Sequence, residues 1–170
     1  VCRRVVTTRL ALVVMVAFMA YSSILTAIQV RYWRDDMSLF SRALDVTKDN
    51  YMAHHGLSMA LSKAGHQEAA MSHMMASLRL NKDARTVNDL GVLLMNSGQY
   101  AAAENAFLEA ATIRSISVNA LNNLGAARVL QGKLDAAIQA FEAALRQNPH
   151  SSSARDNLRR ALMEREKSRE

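Results

Sequence analysis

Two stretches decide the fold: LGVLLMNSGQYAAAENAFLEA at Leu90–Ala110, and LGAARVLQGKLDAAIQAFEAA at Leu124–Ala144, 34 residues later. Leu-Gly recurs as Leu90-Gly91 and Leu124-Gly125, a second glycine as Gly98 and Gly132, and Ala-x3-Phe-x2-Ala as Ala103/Phe107/Ala110 and Ala137/Phe141/Ala144. The spacing predicts a pair of helices in each unit, the first carrying Leu-Gly and the second Ala-x3-Phe. Working backwards, Leu57, Gly65 and Ala70 match Leu90, Gly98 and Ala103 at a spacing of 33. Ser58 stands where Gly91 and Gly125 stand, and Met74 where the phenylalanines stand. Each keeps its size class, small at a helix contact and large in the core, so the pair is expected to survive. One step earlier, Phe40 and Ala43 fit the second-helix positions.

The Leu-Gly pair, the Ala-x3-Phe spacing and the closing Pro149 resemble the tetratricopeptide repeat. The reading is all-α: an N-terminal transmembrane helix, then an α-solenoid of a half repeat, three full repeats and a capping helix. The divisions are a basic flank at 1–9, a span at 10–30, a junction and half repeat at 31–50, and a cap and charged tail at 152–170. The three full repeats cover 51–83, 84–117 and 118–151. In the cap, Leu158 and Leu162 take inner-face positions and Arg159 replaces the packing glycine, as an open-ended solenoid meeting water requires.

Composition agrees. A single proline, six glycines, and no alternating pattern leave no strand to predict. One cysteine excludes an internal disulfide. The net charge is +6, three of it from Arg3, Arg4 and Arg9, and basic side chains elsewhere are mixed with acids. With few aromatics between them, nucleic acid is not expected as a partner.

Leu10 to Val30 is a run of 21 residues without a charge, long enough to cross a bilayer as a helix. Arg3, Arg4 and Arg9 precede it, whereas Arg31 and Arg34 are balanced by Asp35 and Asp36. The positive-inside rule then puts the N-terminus in the cytoplasm and the repeats on the extracytoplasmic side, which is the periplasm if the source is bacterial. A cleaved signal peptide is the rival, but no small-x-small pair closes the run: Phe18 lies two before Ala20. Ser22, Ser23 and Thr26 can bond their own helix backbone, and Ala17, Ala20 and Ala27 would let a second helix approach.

The junction carries a second resemblance. Trp33, Asp35, Leu39 and Phe40 form Trp-x-Asp-x3-Leu-Phe, followed by Ala43-Leu44-Asp45-Val46-Thr47 and Asn50. This resembles the start of the repeat domain in the transmembrane and tetratricopeptide-repeat proteins, relatives of the O-mannosyltransferases. The resemblance implies a multi-pass glycosyltransferase-type domain leading into extracytoplasmic repeats. That family's catalytic acids lie between earlier membrane helices, so no catalytic residue is carried over here. A first residue Val1 rather than Met is what a piece of a longer product would show.

By the repeat resemblance, first helices line a concave groove, with Met52, His55, Met59, Arg85, Asn88, Val92, Asn119, Asn122 and Ala126 facing it. Asn88 and Asn122, a repeat apart, would stack as a ladder offering donor and acceptor to a peptide backbone. Arg85 could fork onto a carboxylate, and Met52 and Met59 supply an adaptable apolar wall. The competing role for the asparagines is to tie neighbouring helices together.

Other motifs point to structure. His54 and His55 face different sides of one helix, and His66 and His73 are placed on the outer face of the next, so no metal is assigned. Gly56-Leu57-Ser58-Met59-Ala60 lacks the second glycine and the strand of a nucleophile elbow, and Ser58 falls on the packing position. Met71, Met74 and Met75 read as core filler or as part of a Met-rich partner groove. No cofactor is expected, and no catalytic residue.

Three functions follow. The chain is a membrane-tethered module holding a peptide or protein partner outside the membrane, the acceptor-presenting tail of a glycosyltransferase-like membrane protein, or a scaffold with an idle groove.

Overall fold

The computed structural model describes residues 14–26, 35–113 and 118–169, and every regular element among them is helical. Residues 14–26 form α1. Then come α2 (Asp36–Val46), α3 (Tyr51–Lys63), α4 (Gln67–Leu80), α5 (Ala84–Asn96), α6 (Tyr100–Ile113), α7 (Val118–Leu130), α8 (Leu134–Gln147) and α9 (Ser152–Lys167). Helices α3–α4, α5–α6 and α7–α8 are hairpins, and α9 lies against both α7 and α8.

The hairpins form where local chemistry starts and stops a helix. Asn50, Asp83 and Ser151 cap α3, α5 and α9 by accepting the backbone N–H of Ala53, Thr86 and Ala154. After α3, α5 and α7, Gly65, Gly98 and Gly132 take φ of +87°, +75° and +74°, the left-handed region that a Cβ disfavours. The following amide then turns back: His66, Gln99 and Lys133 donate to Leu61, Leu94 and Arg128 at 2.9 Å.

What closes the second and third hairpins is a ring against a helix backbone. Phe107 and Phe141 are buried, and their rings occupy the space over Gly91 and Gly125. A Cβ on Gly91 would stand 2.5 Å from Phe107 Cε1. In α3–α4 the pairing becomes Ser58 with Met74, both fully buried, and Ser58 Oγ donates to Ala70 O at 2.7 Å. The hydroxyl is thus satisfied without water, which makes serine an acceptable substitute for glycine here. Ser77 Oγ reaches Tyr51 O at 2.9 Å across the same seam. Phe40 of α2 covers Gly56 of α3, so the half repeat docks by the same device.

One charged node ties the second hairpin to the third. Glu104 of α6 accepts from Arg128 Nε at 2.8 Å, Lys133 Nζ at 2.9 Å and Gln131 Nε2 at 3.0 Å, and its side chain is only 13 % exposed. The Lys133 bond, then that of Arg128, hold its carboxyl down at about 2, against a smaller opposing effect of burial. At the C-terminal end Leu158 and Leu162 pack with Phe141 and Ala161, while Arg159 is exposed and paired to Asp156 at 3.0 Å.

The expected span at Leu10–Val30 is described only in part. Residues 14–26 are helical, and residues 10–13 and 27–30 lie outside the described residues, as do the flank 1–9 and Trp33. Among the described residues no helix is long and apolar enough to cross a membrane. Ser23 Oγ and Thr26 Oγ1 bond Met19 O and Ser22 O at 2.8 Å, the self-satisfied arrangement expected of them.

Two measurements check this packing. Gly91→Ala should lower the thermal midpoint: forcing a methyl into a filled site costs about 1–3 kcal/mol, more than the ~1 kcal/mol gained in helix propensity. Adding Phe107→Leu should recover part of the loss. Glu104→Gln should cost on the order of 1–3 kcal/mol at neutral pH. Because the folded carboxyl titrates at about 2 against an ordinary 4.5, its contribution is complete above 4.5 and fades as pH falls towards 2. Urea midpoints of wild type and variant should therefore converge across that window.

Candidate partner-binding groove

Helices α3, α5 and α7 each run for 13 residues from Tyr51, Ala84 and Val118, so their positions correspond one to one. His55, Asn88 and Asn122 are the fifth residue of each; Gly56, Asp89 and Asn123 are the sixth, as Asn157 is in α9. The structure joins the fifth position of one helix to the sixth of the next. His55 Nε2 meets Asp89 Oδ2 at 2.8 Å, Asn123 Nδ2 donates to Asn88 Oδ1 at 3.1 Å, and Asn157 Nδ2 donates to Asn122 Oδ1 at 3.0 Å. Asn88 Nδ2 also donates to Asp89 Oδ1 at 3.1 Å, which links the first two rungs into one chain across three helices.

This corrects one expectation. Asn88 and Asn122 do not stack on each other; each bonds the following helix, through partners that the sequence reading passed over. Asp89, Asn123 and Asn157 are themselves 34 apart and all polar. That recurrence is legible in the sequence one position after Asn88 and Asn122. Gly56 breaks the series, and Phe40 fills its place.

Clefts open on either side of the ladder. One of about 590 Å³ lies between α2, α3 and the start of α5, lined by Phe40, Tyr51, Met52, His55, Met59, Lys63, Asp83 and Arg85 among others. A second, about 660 Å³, is lined by Asp83, Ala84, Arg85, Asn88, Asp89, Ile113 and Asn119. Arg85 belongs to both, with its side chain 84 % exposed and Nε a loose 4.0 Å from Asp89 Oδ2. Met52 is 64 % exposed beside it.

A third cleft of about 510 Å³ between α7 and α9 takes in Ala126, Val129, Leu130, Asn157 and Arg160. Of the remaining expected groove residues, Val92 is half-buried against the core around Phe107 and Leu124, and Asn122 is held by Asn157. Met74 is core, whereas Met71 and Met75 line a separate cleft of about 510 Å³ with Gln67 and Gln99.

His54 and His55 point apart, as expected, but His73 does not face outward. Its Nδ1 lies 3.0 Å from His54 Nδ1 inside the α3–α4 seam. Burial, then the neighbouring His54, lower the His73 imidazole below its ordinary value.

Comparison with known proteins supports the fold. The family model for the tetratricopeptide repeat matches residues 88–152. No curated protein matches the chain, and nothing in these comparisons bears on the O-mannosyltransferase-like resemblance at the junction. Among solved structures, the second tetratricopeptide-repeat domain of human RPAP3, in complex with an HSP70 peptide, is 21 % identical with a TM-score of 0.61. The match covers 66 % of this chain and 94 % of that one. The first such domain of Spaghetti (RPAP3), bound to an HSP90 peptide, is 18 % identical with a TM-score of 0.63, over 69 % and 94 % of the two chains. The APC/C hetero-tetramer Cut9-Hcn1 gives 19 % identity and a TM-score of 0.68, over 72 % of this chain and 25 % of that one. At these identities the likeness speaks for the fold alone. Residues 88–152 match the tetratricopeptide-repeat model, and the chain has the fold of a tetratricopeptide-repeat solenoid.

Proposed function

We propose that this chain is a protein-interaction module that binds an extended peptide of a partner protein along the face of α3, α5 and α7. The observation carrying this reading is the pair of clefts that meet at Arg85, an exposed guanidinium flanked by exposed Met52 and Asn119. A guanidinium can fork onto a carboxylate, and a thioether adapts to varied apolar side chains. The clefts thus favour a segment with an acidic group beside an apolar one. Two structures of similar fold hold peptides, which supports this choice over an idle groove.

The ladder decides which variants test the idea. Arg85→Ala with Met52→Ala should weaken capture from an acidic–apolar peptide array by about tenfold, the loss of roughly 1.4 kcal/mol, with the thermal midpoint nearly unchanged. Unchanged capture would sink the groove reading and favour a scaffold acting through other surfaces. Asn88→Ala with Asn122→Ala is expected to act differently. Each leaves a neighbouring amide short of a partner and costs about 1 kcal/mol of stability, so a binding loss there would not be specific to the groove.

The membrane anchor at Leu10–Val30, with the N-terminus cytoplasmic and the repeats outside, remains part of this proposal. Its support is that the large apolar side chains between Val14 and Leu25 are 47–69 % exposed, an arrangement that a lipid surface would cover. Full-length chain should stay in the membrane pellet after alkaline carbonate washing, and a form lacking residues 1–30 should not. Equal release of both would remove the anchor. The junction resemblance adds a second reading, in which these repeats present an acceptor to a glycosyltransferase-like parent. A native product several times larger than 18.8 kDa would favour it.

A further inference from the structure

His54 and His73 break the pattern of the repeats. Helices α4, α6 and α8 each run for 14 residues from Gln67, Tyr100 and Leu134, so His73 corresponds to Ala106 and Ala140. His54 likewise corresponds to Val87 and Leu121. In the second hairpin Val87 and Ala106 belong to one apolar cluster, and in the third Leu121 and Ala140 belong to another. The first hairpin replaces this apolar contact by two imidazoles. Their ring centroids are 5.2 Å apart with planes inclined by 33°, and the two Nδ1 atoms converge to 3.0 Å.

We propose that His54 and His73 are a two-histidine site for a late first-row divalent cation such as Zn²⁺ or Ni²⁺, coordinated by both Nδ1 atoms. A metal 2.0–2.1 Å from each of two nitrogens sets them about 3.3–3.4 Å apart at a tetrahedral angle and about 2.8–3.0 Å apart at a right angle. The observed 3.0 Å matches the right-angled case, and a tetrahedral ion needs the rings to part by a few tenths of an ångström; in either case the imidazoles turn to aim both lone pairs at the ion. Neutral imidazole is the ligating form. In the metal-free pair one Nδ1–H donates to the other ring's Nδ1; on binding, the donor ring moves that proton to its own Nε2 through solvent, and no net proton is released from the neutral pair. Among the described residues no group of three or more His, Cys, Asp or Glu gathers around an ion. The remaining coordination positions are therefore filled by water. The site lies in the α3–α4 seam and does not depend on the groove reading.

The test uses the full chain, stripped with a chelator and titrated with ZnCl₂ or NiCl₂. The informative variant is His54→Val with His73→Ala, which installs the Val87/Ala106 pair of the second hairpin and should fold as well as wild type without metal. Wild type should gain several degrees of thermal midpoint at saturating Zn²⁺, with both Nδ1 resonances shifting in ring-nitrogen NMR. The double variant should lose that gain, and a His66→Ala/His150→Ala control should keep it. An equal response in wild type and the double variant would overturn the proposal, as would a wild type that ignores the metal. A wild type destabilised only by acid would overturn it too, leaving the two rings as a pair that merely shares a proton.

Discussion

The second and third hairpins each depend on one contact, a phenylalanine ring laid on a helix backbone that carries no side chain. Phe107 over Gly91 and Phe141 over Gly125 set how closely two helices approach, and the alanines along α6 and α8 follow from that distance. At such spacing only hydrogen or a methyl fits between the axes, which is why Ala103, Ala106, Ala110, Ala137, Ala140 and Ala144 are buried. Where the first hairpin departs, Ser58 and Met74 keep the volume balance, and the added hydroxyl is absorbed by a carbonyl rather than left unpaired.

A solenoid also needs forces between its units, and here they are mixed. Apolar contacts connect α6 to α7 and α8 to α9. The polar ladder from His55 to Asn157 and the Glu104 node hold the helices in register at the surface. A hydrogen bond fixes direction where an apolar contact tolerates sliding, so the ladder defines the spacing of the clefts. The same side chains cannot serve fully as ligand contacts. Asn88 spends both ends of its amide on neighbours, while Arg85 and Met52, one turn earlier, remain exposed at the cleft mouths.

The first hairpin is the least regular of the three. It carries Ser58 for glycine, Met74 for phenylalanine, Gly56 in place of the ladder's sixth residue, and the histidine pair in place of an apolar contact. Each change is matched by a local partner: Ala70 for Ser58, Phe40 for Gly56, His73 for His54. Individuality within a repeat protein concentrates where such compensation exists, since an uncompensated polar group in a seam would cost folding energy.

The sequence by itself determined the elements and their order. Glycines at Gly65, Gly98 and Gly132 and caps at Asn50, Asp83 and Ser151 act within a few residues, and the Ala-x3-Phe spacing acts within one hairpin. Such local constraints repeat along the chain and can be read as periodicity. What tertiary structure alone decided were contacts between residues about 20 to 35 apart whose partners follow no family rule. Asn88 turned out to meet Asn123 rather than Asn122, and Glu104 gathered Arg128, Gln131 and Lys133 from across a loop. His54 and His73 converged although each looks like a surface residue in isolation. The physical reason is that a helix face is set by angle, at 100° per residue. A neighbour's offset of a single residue decides which side chains meet, and only the packed helices fix that offset.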